Sequence, residues 1–205
     1  MTPNRPAAME VWPPAWLAAR TGLLAFGLLM AVLAGAVSAD EPALAALLKT
    51  LDLRGYPART APPQFSGSTL DARQLSMTEY RGTVIVLTFW ASWCLECRVE
   101  MPALERLRRE FSSRGLAIIG VNTRENKEAV RRYAKELGLT FPLVLDPDGK
   151  TNALYGVIGL PTTFVVGRDG RAVALAIGPR QWESAPARAL IETLLAEPAP
   201  GPATQ

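Results

Sequence analysis

The chain has 205 residues, 49% hydrophobic and 20% charged, a composition that fits one globular domain with accessory segments and excludes a disordered protein. Its net charge is +3, and the sequence contains no run of Lys and Arg of the length that forms a basic arm, which argues against nucleic acid as a partner. It has no histidine, so Ser-His-Asp and Cys-His catalysis are excluded and the commonest metal ligand is missing.

Arg5 and Arg20 precede an uncharged apolar run from Thr21 to Val37, and Val37-Ser38-Ala39 follows. Small residues at the last and third-last positions suit a signal peptidase, so residues 1–39 read as a signal peptide cleaved after Ala39. The alternative is an uncleaved membrane anchor formed by residues 21–37, slightly short of the ~20 residues that a spanning helix prefers. Either reading places the remainder outside the cytoplasm, in the periplasm or exported. No cysteine follows the apolar run, which argues against a lipoprotein.

Residues 40–63 read as a short helix (Glu41 to Leu53) and a Pro-rich linker (Arg54 to Pro63), with the main domain over 64–196 and a disordered tail at 197–205. Turn chemistry at Gly67 and Asp71 predicts a short hairpin over Phe65 to Leu75. Thr83 to Trp90 is β-branched, aromatic and uncharged, as a central strand buried on both faces should be. Cys94 to Arg114 has helical spacing, with Val99, Leu104, Leu107 and Phe111 as its apolar positions. Strands are expected at Leu116 to Val121 and Phe141 to Leu145, a helix at Lys127 to Leu137 closed by Gly138, and one helical turn at Asn152 to Tyr155. Thr162 to Val166 and Ala172 to Ile177 flank Arg168-Asp169-Gly170, a hairpin signal, and Trp182 to Leu195 reads as the final helix. The order strand, helix, strand, then hairpin and helix predicts an α/β fold with a mixed sheet covered on both faces.

The two cysteines of the chain stand three apart in Trp93-Cys94-Leu95-Glu96-Cys97. A disulfide closing so small a loop constrains the unfolded chain very little. The pair is better suited to opening and closing than to holding a fold together. Cys94 follows a strand end and a short turn, so it should cap the next helix. There unpaired amides and the helix dipole favour a thiolate, which is the reactive form of the thiol. Cys94 is thus the expected nucleophile, and Cys97, one turn inside the helix, the resolving thiol. Two thiolates without a histidine leave tetrahedral zinc half-ligated, so no metal is expected.

The stretch from Phe89 to Pro102 (FWASWCLECRVEMP) resembles the active site of the exported TlpA/ResA-like thiol-disulfide oxidoreductases. The likeness runs from about Gln64 to Leu195 and includes Tyr80-Arg81-Gly82 and Gly159-Leu160-Pro161-Thr162-Thr163-Phe164. It implies a thioredoxin-like fold with an extra N-terminal β element, which Phe65 to Leu75 would supply. It also implies a redox-active Cys94–Cys97 disulfide as the only redox group, with no added cofactor. Pro161 matches the family's cis-proline beside the cysteines, which would free the backbone of Leu160 to pair with an extended substrate. Trp93 is expected to be exposed at the rim that receives the partner peptide, whereas Trp90 belongs to the core and Arg98 to a solvated helix face. Glu100 matches a glutamate near the cysteines, where a carboxylate can exchange protons with the buried thiol. On helix geometry alone it is equally a surface residue.

The family often places Gly-Pro or Glu-Pro between its cysteines; here Leu95 and Glu96 stand there. Leu95 offers no hydrogen bond to a thiolate, and Glu96 opposes the thiolate's charge. Both favour a reducing couple, nearer the roughly −270 mV of thioredoxin than the about −120 mV of a strong oxidant. The resemblance implies cysteine-containing exported proteins as substrates, cytochrome c maturation among their contexts, and a membrane thiol transporter as electron donor.

Three alternatives accompany this reading. A disulfide-introducing oxidase of this fold often carries a long helical insertion, for which the distance from Cys97 to Pro161 leaves little room. A thiol peroxidase needs Pro and Thr shortly before its nucleophile, where this chain has Leu87 and Ala91. A thiol-dependent chaperone or copper-delivery module would use Cu(I)–thiolate chemistry, but Met77 and Met101 do not form a cluster.

Overall fold

A computed structural model of the chain describes residues 40–56 and 58–199. The readings for residues 1–39 and for the end of the tail lie outside them. Among the described residues no helix is long and apolar enough to cross a membrane.

Among the described residues, eight strands and five α-helices follow one another in chain order. They are α1 (Asp40–Thr50), β1 (Arg54–Gly55), β2 (Ser66–Ser68), β3 (Gln74–Ser76), β4 (Val84–Trp90), α2 (Leu95–Phe111), β5 (Leu116–Thr123), α3 (Lys127–Leu137), β6 (Leu143–Asp146), α4 (Lys150–Leu154), β7 (Thr162–Val166), β8 (Ala172–Ile177) and α5 (Ala185–Ala196). Six strands form one sheet in the order β1-β8-β7-β4-β5-β6, and β2 pairs with β3 separately.

β4 is the axis of this arrangement, with every residue buried. It pairs in parallel with β5, from Val84 opposite Leu116 to Trp90 opposite Asn122, and antiparallel with β7, from Ile85 opposite Val166 to Phe89 opposite Thr162. Its side chains alternate between two apolar layers, as the two-residue strand period requires. Val84, Val86 and Trp90 join one core with Met101, Leu104, Phe111, Tyr133, Trp182 and Leu190. Ile85, Leu87 and Phe89 join the other with Phe65, Leu75, Met77, Tyr155 and Phe164. Thr88 breaks the apolar run, but its hydroxyl accepts a 3.0 Å hydrogen bond from Thr163 across the β4–β7 pair. Gly120 of β5 lies so close beneath Trp90 that an added Cβ would fall 2.9 Å from the indole nitrogen and from Leu143.

The expected hairpin is β2–β3, tacked to β6 by a bridge between Thr69 and Val144. The mixed sheet is covered on both faces and has the thioredoxin-like form that the sequence predicts.

Four local readings differ from the structure. Val99, taken as a core position of the long helix, is 76% exposed. The buried positions of α2 are Cys97, Glu100, Met101, Ala103, Leu104, Glu105, Leu107 and Phe111, and Val99 lies two residues, roughly 200° of helix, from both Cys97 and Met101. The stretch read as a linker begins with β1, which pairs antiparallel with β8, while Leu48, Leu51 and Leu53 before it enter the main core. Residues 40–55 are therefore built into the domain. Glu197, read as the start of a loose tail, accepts an ion-paired hydrogen bond from Arg59. The last helix starts at Ala185, where the Ser184 side chain accepts from the Ala187 amide, so Trp182 precedes it in a loop.

Candidate active site

The site lies at the carboxyl end of β4, where the chain turns through Ala91-Ser92-Trp93 into α2. Glu125, just past β5, fastens this turn. One of its oxygens accepts hydrogen bonds from the Ser92 amide (2.7 Å) and from Asn122 Nδ2 (2.7 Å), and the other accepts from the Ser92 hydroxyl. Cys94 takes up extended backbone angles (φ −82°, ψ 112°) and caps α2, its Sγ accepting the Cys97 amide hydrogen at 3.1 Å. The two sulfurs are bonded, with Cα atoms 5.3 Å apart. When the bond opens, the amide and the helix dipole already face Cys94 Sγ, an arrangement that favours its thiolate.

Access separates the two sulfurs. Cys97 is completely buried, whereas Cys94 keeps 5% of its surface and lines a groove of about 740 Å³. Trp93, Leu95 and Glu96 beside the cysteine, and the segment from Val157 to Leu160 before the cis bond, share the lining of this groove. Trp93, Leu95 and Ile158 are exposed large apolar side chains of this lining. Ala91 and Leu87 are buried apolar residues, so neither places a hydroxyl beside Cys94.

The Leu160–Pro161 bond is cis. Thr162 Oγ1 donates to Gly159 O at 2.7 Å, and the Gly178 amide donates to Pro161 O at 2.8 Å, which holds the bend in place. Among the described residues no backbone hydrogen bond uses the N–H or C=O of Leu160, which lines the groove. Of the site residues that the sequence brought forward, the fold gathers Cys94, Trp93, Leu95, Glu96 and Leu160 at one groove, with Cys97 bonded to Cys94 and buried beside it and Pro161 following Leu160 through the cis bond.

Glu100 is not a surface residue: it is 2% exposed, one turn beyond Cys97 on the inner face of α2. Its Oε1 accepts a hydrogen bond from the indole N–H of Trp182. Burial pushes its carboxyl up to about 7, against smaller opposing contributions from that hydrogen bond and from the backbone and charge of Arg180. Trp90 stacks on Tyr133 with ring centroids 4.7 Å apart. Arg98 lies over the other residue of that stack, its guanidinium 5.4 Å from the Tyr133 ring, and it pairs with Glu136, so it is more engaged than a solvated helix residue.

Two residues of this neighbourhood are not evident from the linear sequence. Glu125 is separated from Ser92 by a whole helix and strand. Its only signal is its place just beyond the carboxyl end of a parallel strand, where α/β sheets build their sites. Trp182 reads as a helix residue, and nothing local marks it as the partner of Glu100. Among the described residues no group of three or more Cys, Asp or Glu is gathered to hold a metal ion.

Comparisons with known proteins agree with this geometry. A model of the AhpC/TSA family matches residues 58–174. The thiol-disulfide oxidoreductase ResA of Geobacillus thermodenitrificans is 36% identical over 141 residues, spanning 66% of this chain and 81% of that protein. A thiol:disulfide interchange protein of the thioredoxin family from Chlorobium tepidum superposes with a TM-score of 0.60 at 26% identity, covering 69% of this chain and 99% of its own. A secreted disulfide oxidoreductase of Mycobacterium tuberculosis, homologous to DsbE of Escherichia coli, gives a TM-score of 0.55 at 25% identity over 65% of this chain and 96% of that one. With its paired cysteines at the mouth of a helix, the chain belongs to the AhpC/TSA family and, within it, to the ResA-like thiol-disulfide oxidoreductases of thioredoxin-like fold.

Proposed function

We propose that this enzyme is an exported, periplasmic reductase of disulfides in other exported proteins, of the cytochrome c maturation type, supplied with electrons by a membrane thiol transporter. The observation that carries the reading is the unequal access of the two sulfurs: Cys94 meets the groove, and Cys97 meets only the interior. In the reduced enzyme the Cys94 thiolate attacks one sulfur of a substrate disulfide. The other substrate sulfur leaves as a thiolate and takes a proton from solvent, giving a mixed disulfide on Cys94. The Glu100 carboxylate then accepts the proton of the Cys97 thiol, and the Cys97 thiolate attacks Cys94 Sγ. The second substrate sulfur leaves as a thiolate and takes a proton from solvent, the Cys94–Cys97 disulfide closes, Glu100 returns its proton to solvent, and the substrate has gained two electrons and two protons. A dithiol donor at the membrane restores the pair by the same exchange in reverse, so the couple itself is the redox group and no cofactor is required.

The free backbone of Leu160, beside Pro161, pairs with the extended substrate segment, and Trp93 provides an apolar wall against which it lies. Leu95 and Glu96 tune the couple: one withholds a hydrogen bond from the thiolate and the other sets a negative charge beside it. The N-terminal segment, removed after Ala39 or retained as an anchor through residues 21–37, accounts for the location. The likeness to a secreted disulfide oxidoreductase of Mycobacterium tuberculosis supports it.

Two measurements test this. Equilibration with glutathione is expected to give a potential well below about −180 mV, and a value above it overturns the assignment as a reductase. Cys97→Ala is expected to lower insulin-disulfide reduction by about 10³-fold or more and to leave Cys94 joined to its captured partners, which can then be identified. Efficient oxidation of a reduced unfolded protein, together with failure to reduce insulin, would favour an oxidase.

A further inference from the structure

Glu100 meets a second buried residue that the reaction above does not use. The indole of Trp182 is fully buried, and its N–H points at Glu100 Oε1. Trp182 belongs to the loop between β8 and α5, and that loop is fastened on two sides. The Arg180 guanidinium donates to the Asp52 carbonyl (2.7 Å) and carboxylate (2.9 Å) at the end of α1, and the Gly178 amide donates to Pro161 O. A loop held in this way sets the position of the indole independently of the rotamer of Glu100.

The chemistry of the donor matters. An indole N–H can give a hydrogen bond but cannot accept one. It therefore binds Oε1 in both protonation states of the carboxyl, and a proton on Oε1 would have to compete with it. The Arg180 backbone also favours the charged carboxylate, but the indole is the side-chain donor and it sits on Oε1, so Oε2 is the oxygen that the indole leaves to take up and release a proton.

We propose that Trp182 is a positioning residue for the thiol–disulfide reaction, which pins Glu100 Oε1 so that Oε2 is the oxygen presented to the Cys97 thiol. This rests on the reading of Glu100 as the proton partner of Cys97. The charged and titratable groups that act on Glu100 are Tyr133 from α3 and Arg180 from the loop, with Asp52 past the α1 end paired to Arg180, and Cys97 is buried one turn before it on the same helix. Tyr133 is pushed up to about 12, chiefly by burial, and an arginine keeps its charge throughout the neutral range. Glu100 is therefore the group of this pocket whose charge changes near neutrality, and in the reduced protein the thiol of Cys97 is the partner with which it exchanges a proton. The hydrogen bond from the indole is stronger to a carboxylate than to a carboxylic acid, so its loss moves Glu100 to a higher pKa.

The test follows the rate of iodoacetamide reaction with reduced Cys94 across pH 5 to 10 in the full-length protein, compared among wild type, Glu100→Gln, Trp182→Phe and the double variant. Wild type should show an inflection near pH 7 that Glu100→Gln removes. Trp182→Phe, which keeps a ring and deletes the donor, should move that inflection up by roughly one pH unit. The double variant should match Glu100→Gln alone, because the indole acts only through the carboxyl. An inflection that Glu100→Gln removes and Trp182→Phe leaves in place overturns the role of Trp182 while sparing that of Glu100. A profile unchanged by Glu100→Gln overturns both. Should Trp182→Phe fail to fold, the wild-type protein still decides. The indole N–H resonance of Trp182 in nitrogen-15-labelled reduced protein should titrate with a midpoint near 7 and become flat in Glu100→Gln. A flat resonance in wild type overturns the proposal.

Discussion

Helix α2 carries two buried glutamates, five residues apart, that share a helix and little else. Glu100 is 2% exposed and Glu105 is 3% exposed. Glu105 is surrounded by donors: Arg108 and Arg109 reach it from the next turn at 3.0 Å, and the amide and hydroxyl of Thr140 each donate at 2.8 Å. Burial pushes its carboxyl up, but the Thr140 amide, Arg108, the Thr140 hydroxyl and Arg109 together outweigh burial and hold it below the ordinary range. Glu100 has one neutral indole as its side-chain donor, so there burial wins. What a buried carboxyl does is decided by the number and charge of its donors. Glu105 is a fastener between α2 and the approach to β6, and Glu100 is a group poised to change its charge near neutrality.

The largest expected effect separates the two on stability. Glu105→Ala strips several donors of their buried acceptor and is expected to cost about 3–4 kcal/mol, read as a lower urea midpoint with an unchanged slope. It should leave the pH inflection of Cys94 reactivity where it is. An inflection lost in Glu105→Ala would erase the distinction between the two residues.

The second effect is the sign of pH dependence. Glu100 has an ordinary value of 4.5 and a folded value of about 7, so between these the native state holds more protons than the unfolded chain. Stability should fall as pH rises through that window, by an amount on the order of 3 kcal/mol, and Glu100→Gln should flatten the curve. Glu105 is shifted the other way. Its contribution is present above its ordinary value of 4.5 and is lost as pH falls through its lower folded value, so Glu105→Gln should weaken the protein at neutral pH and lessen its further loss in acid. Urea titrations from pH 3 to 8 on both variants would show whether the slopes have opposite signs.

The smallest effect belongs to Glu96. It is exposed at the mouth of the helix, where its charge acts on Cys94 through water and salt screens it. Glu96→Gln should stabilise the thiolate slightly and raise the potential by about 10 mV, with less change at high ionic strength. A rise comparable to the gap between thioredoxin and a strong oxidant would mean that this charge, rather than the buried pair, sets the couple.

The strands and the reactive pair were legible in the sequence because their signals are local. An uncharged β-branched run can hardly be anything but a buried strand, and Cys94 and Cys97 declare a redox couple by spacing alone. Val99 shows the limit of periodicity: an apolar residue on a helix can face solvent when it lies across the helix from the buried stripe. The stretch from Arg54 misled for a different reason. Proline signals a break, yet two residues before it suffice to add an edge strand to β8. Glu125 and Trp182 were invisible because their partners, Ser92 and Glu100, lie 33 and 82 residues away. Nothing in a local pattern carries information over such distances.

The three hydrogen bonds that Glu125 accepts have a kinetic corollary. They clamp the turn ahead of Cys94, so the nucleophilic sulfur starts from a fixed place and direction. Attack on a disulfide must run along its S–S axis, and a rigid attacker cannot swing to find that line. The visiting chain has to supply the motion. Such an enzyme will act quickly on disulfides in pliable, incompletely folded segments and slowly on those held inside finished domains.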